Sequence, residues 1–156
     1  MDMSNFNPEA FLGAALSAPL TKRPPLAAGV PYSATIGGVK TRSGTSTDKQ
    51  TGAPRPWVAL DIPLEIEVPA DQVARIGQPK VTLTDSVFLD ITPTGGMDFA
   101  PGKNRGLRKY YDATGLNRSG TTPNHLPGQM VKVVLKHDVA KDGSGDLYER
   151  VDSLVK

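Results

Sequence analysis

The sequence predicts a mainly β fold: a small antiparallel barrel of about five strands with one inserted helix and an N-terminal arm. Three observations predict it. In residues 57–68, Val58, Leu60, Ile62, Leu64, Ile66 and Val68 recur at every second position, so they share one face of a strand; Trp57, Ala59, Asp61, Glu65 and Glu67 take the other. The same period returns in 130–137, where Val131, Val133 and Leu135 alternate with Lys132, Val134 and Lys136. Between these stretches the apolar runs are short and punctuated by 16 glycines and 14 prolines, which favours strands joined by turns over a helical bundle.

Residues 7–16 (NPEAFLGAAL) read as a short helix. Asn7 can cap it, Pro8 fits its first position and Glu9 suits the positive end of its dipole. Phe11, Leu12, Ala15 and Leu16 would share a face, with two roles open: docking on the chain's own domain, or on a neighbouring subunit. A Pro-rich tether follows, so residues 1–30 form an arm expected to contribute little to the core, and residues 31–156 form the barrel domain. A first strand over 31–39 carries a Gly37-Gly38 bend. A polar loop rich in Ser, Thr, Gly and basic residues then leads into the long strand, where Pro63 argues for an edge or a bulge.

Residues 69–78 suggest a helical turn ended by Gly77, and 79–93 either two short strands or one bent one. Within the latter, Val87 and Leu89 point inward and Thr82, Thr84, Ser86, Phe88 and Asp90 take the other face. The basic segment 101–120 allows a helix that ends at Gly115. A strand over 130–137, a DGSG turn and a strand over 147–155 close the chain as a hairpin. Five strands with a helix before the last hairpin match a barrel of the OB type, with a sandwich-like variant second.

Composition excludes several classes of function. The chain of 156 residues has no cysteine, so disulfides, thiolate metal sites and thiol catalysis are absent. An acid at Asp2 and no basic leader argue against a secretory signal, and no apolar run approaches the ~20 residues of a membrane helix. His125 and His137 sit in no metal-ligand spacing and read as surface residues. Asp61, Glu65, Glu67, Asp85 and Asp90 read as solvated strand faces; Glu65-Ile66-Glu67 offers a second acid where a nuclease motif needs Lys. There is no nucleophile elbow and no phosphate-binding loop. No enzymatic activity, cofactor or metal is expected.

Binding fares better. The net charge is only +2, so the distribution of charge carries the signal. Binding a single strand without base specificity needs cations that track phosphates and rings that stack on bases. Lys40, Arg42, Lys49 and Arg55 face a single acid, Asp48, and lead into Trp57. Lys103, Arg105, Arg108 and Lys109 lead into Tyr110 and Tyr111. These eleven residues are the candidate nucleic-acid-binding site.

The order of features adds to this. LAAGVPYSATI (26–36) follows the Pro-rich lead; GKNR (102–105) opens the basic helix; LPGQMVKV (126–133) opens a hairpin that ends in YERV (148–151). Over 26–155 the chain resembles a family of small bacteriophage single-stranded-DNA-binding proteins of replication and recombination modules. The resemblance implies coating and protection of single-stranded DNA in the cytoplasm of the infected host cell. The final DSLVK departs from the acidic tails of many replication-type binders and argues against partner recruitment of that kind. The arm adds an expected homo-oligomer. It also keeps a structural reading in view, that of a capsid cement or tail component.

Overall fold

The computed structural model describes residues 4–18 and 22–155. Strands β1 (Pro31–Ile36), β2 (Lys40–Thr47), β3 (Pro54–Glu67), β4 (Lys80–Leu89), β5 (Met130–Val139) and β6 (Leu147–Val155) form one six-stranded sheet, all of whose pairings are antiparallel. Helices α1 (Pro8–Leu12), α2 (Ala70–Ile76) and α3 (Arg105–Thr114) are short. The mainly β expectation holds. The hydrogen-bonded order is β2-β3-β1-β5-β6 with β4 on the other edge of β3, and no ladder joins β4 or β2 to β6 among the described residues, so the sheet is not closed.

The strand count rises to six because the expected polar loop over 40–57 is mostly strand. β2 pairs residue by residue with the first half of β3, from Lys40 opposite Asp61 to Thr47 opposite Pro54, and only the turn at 48–53 is left as loop. A run of Ser, Thr and Gly without apolar alternation hides this strand from a reading based on periodicity.

β3 is the organising strand. One edge pairs with β4 from Val58 to Glu67; the other is shared, with β2 alongside 54–61 and β1 alongside 64–66. Pro63 therefore lies in a central strand, not at an edge. It sits where β2 gives way to β1, and its carbonyl accepts from Gly37 N at 2.8 Å toward that junction. Its missing N–H would point the same way, so proline removes no ladder bond. The chain bends beside it at Gly37, where a Cβ would come within 3.2 Å of the Pro63 ring.

The core follows the predicted parity. Leu60, Ile62, Leu64, Val133 and Leu135 are buried, joined by Ile66, Tyr32, Ile36 and Val131, while Val87 and Leu89 are half-buried against them. α3 packs across the open side, touching β4, β5 and β6 and inserting Leu107 and Tyr110 into the core. Gly106 permits the approach, since a Cβ there would meet Val87 at 3.0 Å.

The expected arm divides. Residues 4–18 keep every described side chain exposed. The strap from Arg23 to Val30, in contrast, belongs to the domain. Arg23 donates twice to the Glu149 carboxylate at 2.9 Å, and Leu26 N donates to the same carboxylate at 2.9 Å. Ala27 N reaches Gln72 Oε1, Tyr32 OH donates to Ala27 O at 2.6 Å, and Arg75 donates to Pro25 O. His137, expected at the surface, is half-buried with Nε2 2.6 Å from Leu26 O. Leu26 itself is 0% exposed. Its apolar side chain among prolines has no period to announce it.

An ionisable pair, Tyr110 buried and Asp85 half-buried, sits where α3 packs on β4 near β6. Tyr110 OH donates to Asp85 Oδ2 at 2.6 Å. Burial raises the Asp85 carboxyl above its usual range, opposed by the Tyr110 bond and by the charges of Arg150 and Lys109. The Tyr110 phenol is pushed up by burial and by Asp85. A carboxyl raised in the folded state binds its proton more tightly there than in the unfolded chain. Its contribution is therefore most favourable below the unfolded pKa and is lost as pH rises through the folded one. Asp85→Asn keeps an acceptor for Tyr110 and removes the charge. Its stability relative to the wild type should rise between acid and neutral pH in urea titrations; a difference independent of pH would contradict this account.

Candidate nucleic-acid interface

The register of β2, β3 and β4 fixes one outward surface. Lys40, Arg42, Gly44 and Ser46 of β2, Arg55, Trp57, Ala59 and Asp61 of β3, and Ser86 and Phe88 of β4 share a parity, opposite to the core residues. At its centre Arg42, Ala59 and Phe88 lie in one row across the three strands. Ala59 is 0% exposed although it faces outward, so its neighbours cover it.

Trp57 lies two residues before Ala59 on the same face. Its ring lies on Gly44, directly opposite on β2; a Cβ there would come within 2.6 Å of Cζ2, so only glycine lets the indole lie flat. Phe88 meets Trp57 edge-on, with centroids 5.9 Å apart and planes at 80°. Trp57 is half-buried by this packing, whereas Phe88 remains 69% exposed. Beside the pair opens a cleft of about 570 Å³ bounded by Ser46, Arg55, Trp57, Phe88 and Asp90. Phe88 was absent from the sequence-derived site. Its signal was an aromatic on the polar face of an alternating strand; what made it meaningful, the pairing that sets it beside Trp57, is not legible in a single sequence.

The cations of this face differ in availability. Arg42 binds Asp61 through Nε at 2.6 Å and a terminal nitrogen at 3.1 Å, with Ser86 Oγ donating to the same carboxylate. Its guanidinium lies 5.8 Å from the Trp57 ring centroid, a cation–π distance. The Arg42 bond and the Ser86 bond hold the Asp61 carboxyl below its usual range, and Arg42 is raised in turn. Arg42 is thus a strut that braces Trp57. Lys40, Lys49 and Arg55 are exposed and form no salt bridge among the described residues. Asp48, the loop's acid, accepts from Gln50 N and Thr51 N, which lowers its pKa, and the nearby charge of Arg55 lowers it further. Charge is graded along β3: basic at the hairpin tip, acidic at Glu65 and Glu67, where Lys80 pairs with Glu65 at 3.2 Å.

The second predicted segment lies elsewhere. α3 packs on Val87, whose side chain points to the core, while its neighbour Phe88 points out, so the two segments flank opposite faces of β4. The link between them is Asn104, which adopts φ 54° before α3 and is buried. It exchanges bonds with Asp90, N to Oδ2 at 2.7 Å and Oδ1 from Asp90 N at 2.8 Å, and donates to Asp98 O at 2.8 Å. On α3, Arg105, Arg108 and Lys109 are exposed, as is Lys103 just before it, and Arg108 lies 3.6 Å from Asp112. Tyr110 is 2% exposed and bonded to Asp85, so it is a core residue with no free face for a base. Tyr111 is half-buried, with its phenol raised by burial.

No protein-family model, curated protein or solved structure matches this chain. Among the described residues no three His, Asp or Glu side chains gather as metal ligands, and no helix is long and apolar enough to cross a membrane.

Proposed function

We propose that this chain is a phage single-stranded-DNA-binding protein, non-enzymatic, that coats single strands through the outward face of β2, β3 and β4. The observation that carries the reading is the Trp57–Phe88 pair: two rings on the polar side of a sheet, one of them largely exposed, beside a cleft lined by Arg55, which forms no salt bridge among the described residues. Aromatic faces next to unpaired cations are what sequence-tolerant binding of a single strand requires. Lys49 and Arg55 would take phosphates at the hairpin tip, with Lys40 further along. The acidic end at Glu65 and Glu67 would turn the strand away, so it crosses the tip half of the sheet.

The strand order supports an OB-like barrel as the scaffold. If β1 and β2 are taken as one strand bent at Gly37, five strands result, with α3 between the third and fourth and the seam at β4 and β6. In that architecture the second and third strands, here β3 and β4, carry the oligonucleotide face. The resemblance to phage single-strand binders supports the choice of DNA and of the infected cell's cytoplasm.

The test is a binding titration with single-stranded and duplex oligonucleotides at several salt concentrations. Single strands should bind more tightly, because a duplex hides its base faces. Each phosphate contact on a single strand adds about 0.7 to the log–log salt slope. Replacing Lys49 and Arg55 together with Ala should flatten it by about 1–1.5 if each holds one phosphate. Absence of binding to either nucleic acid at low salt would favour the virion-structural reading, which the exposed apolar arm also suits; copurification with particles would then be expected.

A further inference from the structure

Two open apolar surfaces of this chain are complementary. The first is the N-terminal segment. Asn7 caps α1 by accepting from Glu9 N and Ala10 N, and this holds Phe6 and Phe11 together, with centroids 5.6 Å apart. Yet Phe6, Phe11, Leu12 and Leu16 are 48%, 68%, 84% and 63% exposed, and α1 buries nothing. Glu9 is the only charged residue from Ser4 to Ala18. A helix of five residues is not stable alone, so an aromatic cluster on one calls for an apolar partner.

The second surface is a cleft of about 690 Å³ between the 97–104 loop, α3 and the 117–122 loop. Met97, Leu107 and Tyr111 give it an apolar lining, extended by Phe99, which is 85% exposed. Lys103, Arg108 and Arg118 border it against one acid, Asp98, whose carboxylate accepts from Ala100 N. Arg108 is partly neutralised by Asp112; Lys103 and Arg118 form no salt bridge among the described residues. This cleft lies beside α3, away from the Trp57–Phe88 face.

We propose that the N-terminal segment of one copy docks in the α3 cleft of a second copy. Phe6 and Phe11 enter the apolar lining and Glu9 faces Lys103 and Arg118. The apolar segment fits the apolar lining, and Glu9, the one charge of residues 4–18, fits a cationic rim. Docking in trans is favoured because the single chain leaves both the arm's apolar side chains and the cleft open. Each copy then offers one arm and one cleft, a head-to-tail contact that extends copy after copy unless its rotation closes a ring.

The chain has no cysteine, which makes disulfide trapping clean. Full-length Ala10→Cys chains, isotopically labelled, are mixed with unlabelled Ser119→Cys chains and oxidised gently. Both positions are exposed, so folding should survive, as circular dichroism will check. Mass spectrometry should find positions 10 and 119 joined between chains, and the link should vanish when Phe11→Asp is added to the first chain. In sedimentation the unsubstituted protein should associate, and Phe11→Asp should weaken this about tenfold or more. Glu9→Lys and Arg118→Glu should each weaken association, and their combination should recover part of the loss. Three outcomes would overturn the proposal: a monomer at every concentration; a link formed only within a doubly substituted chain, meaning the arm covers its own cleft; or Arg118→Glu impairing oligonucleotide binding while association stays unchanged, meaning the cleft serves nucleic acid.

Discussion

Leu26→Ala should cost about 2–5 kcal/mol of folding stability, the range for truncating a fully buried leucine. Leu26 is 0% exposed and sits in the main core cluster. It also lies at the centre of a polar clamp: its N–H reaches Glu149, its carbonyl meets His137, and the next residue bonds Gln72 and Tyr32. That clamp holds the strap in one path, so the cavity cannot close by letting the strap drift inward. Glu149→Ala attacks the same element differently. It removes the acceptor of both Arg23 bonds and of Leu26 N, and should cost about 1.5–3 kcal/mol, the scale of hydrogen bonds to a charged group. Leu16→Ala, on the exposed segment, should stay within about 0.5 kcal/mol. Urea denaturation of the three variants checks the series. If Leu26→Ala were as silent as Leu16→Ala, the whole N-terminal region would be an arm.

What the sequence made legible in the fold was whatever burial writes as a period. β3 and β5 carry apolar residues at every second position where one face meets the core, and the sequence places them close to their observed ends; β6, whose register shift sets Val151 and Leu154 three apart toward the core, is announced by the DGSG turn before it. Gly77 and Gly115 mark the ends of α2 and α3 because the left-handed conformation there, φ 87° and 73°, favours glycine. β2 leaves no such trace. Seven of its eight residues are exposed, so its identity comes from pairing with β3 and not from its own side chains. The strap over 23–30 was unreadable for the opposite reason. One buried leucine among prolines looks like any linker until the partners Glu149, Gln72 and His137, distant in sequence, are brought to it.

The candidate site was legible in part for the same reason. Lys49, Arg55 and Trp57 are neighbours along one hairpin, and local sequence captures local clusters. Tyr110 and Tyr111 are adjacent in sequence but a helix turns them about 100° apart, which buries one and leaves the other at the cleft. Phe88 reaches Trp57 only through the β3–β4 register, and Arg42 becomes a strut only because Asp61 lies on the same face two residues beyond its partner Ala59. Charge counts along the chain cannot distinguish a free cation from a braced one.

The exposed ring of the aromatic pair gives the clearest functional outcome. Phe88→Ala should weaken single-strand binding by about 1–3 kcal/mol, the range for losing one base–aromatic stack, while leaving the salt slope unchanged. Phe88 is 69% exposed, so the substitution should leave folding nearly intact. Trp57→Ala should weaken binding by a similar amount, but it also strips the ring packed on Gly44 and Phe88, so its binding loss must be read against a stability measurement. The rings touch edge to face, and neighbours of this kind are not independent. The double variant should therefore lose less than the sum of the two single losses, because removing either ring already disturbs the platform that positions the other. Quenching of Trp57, the only tryptophan, reports the same event directly when an oligonucleotide is added. Replacing Lys49 and Arg55 should give the opposite signature, a flatter salt slope with stacking preserved. If Phe88→Ala binds single strands as tightly as the unsubstituted protein, and the Trp57 signal does not respond to oligonucleotide, bases do not stack on this face and its cations alone cannot make it a single-strand site.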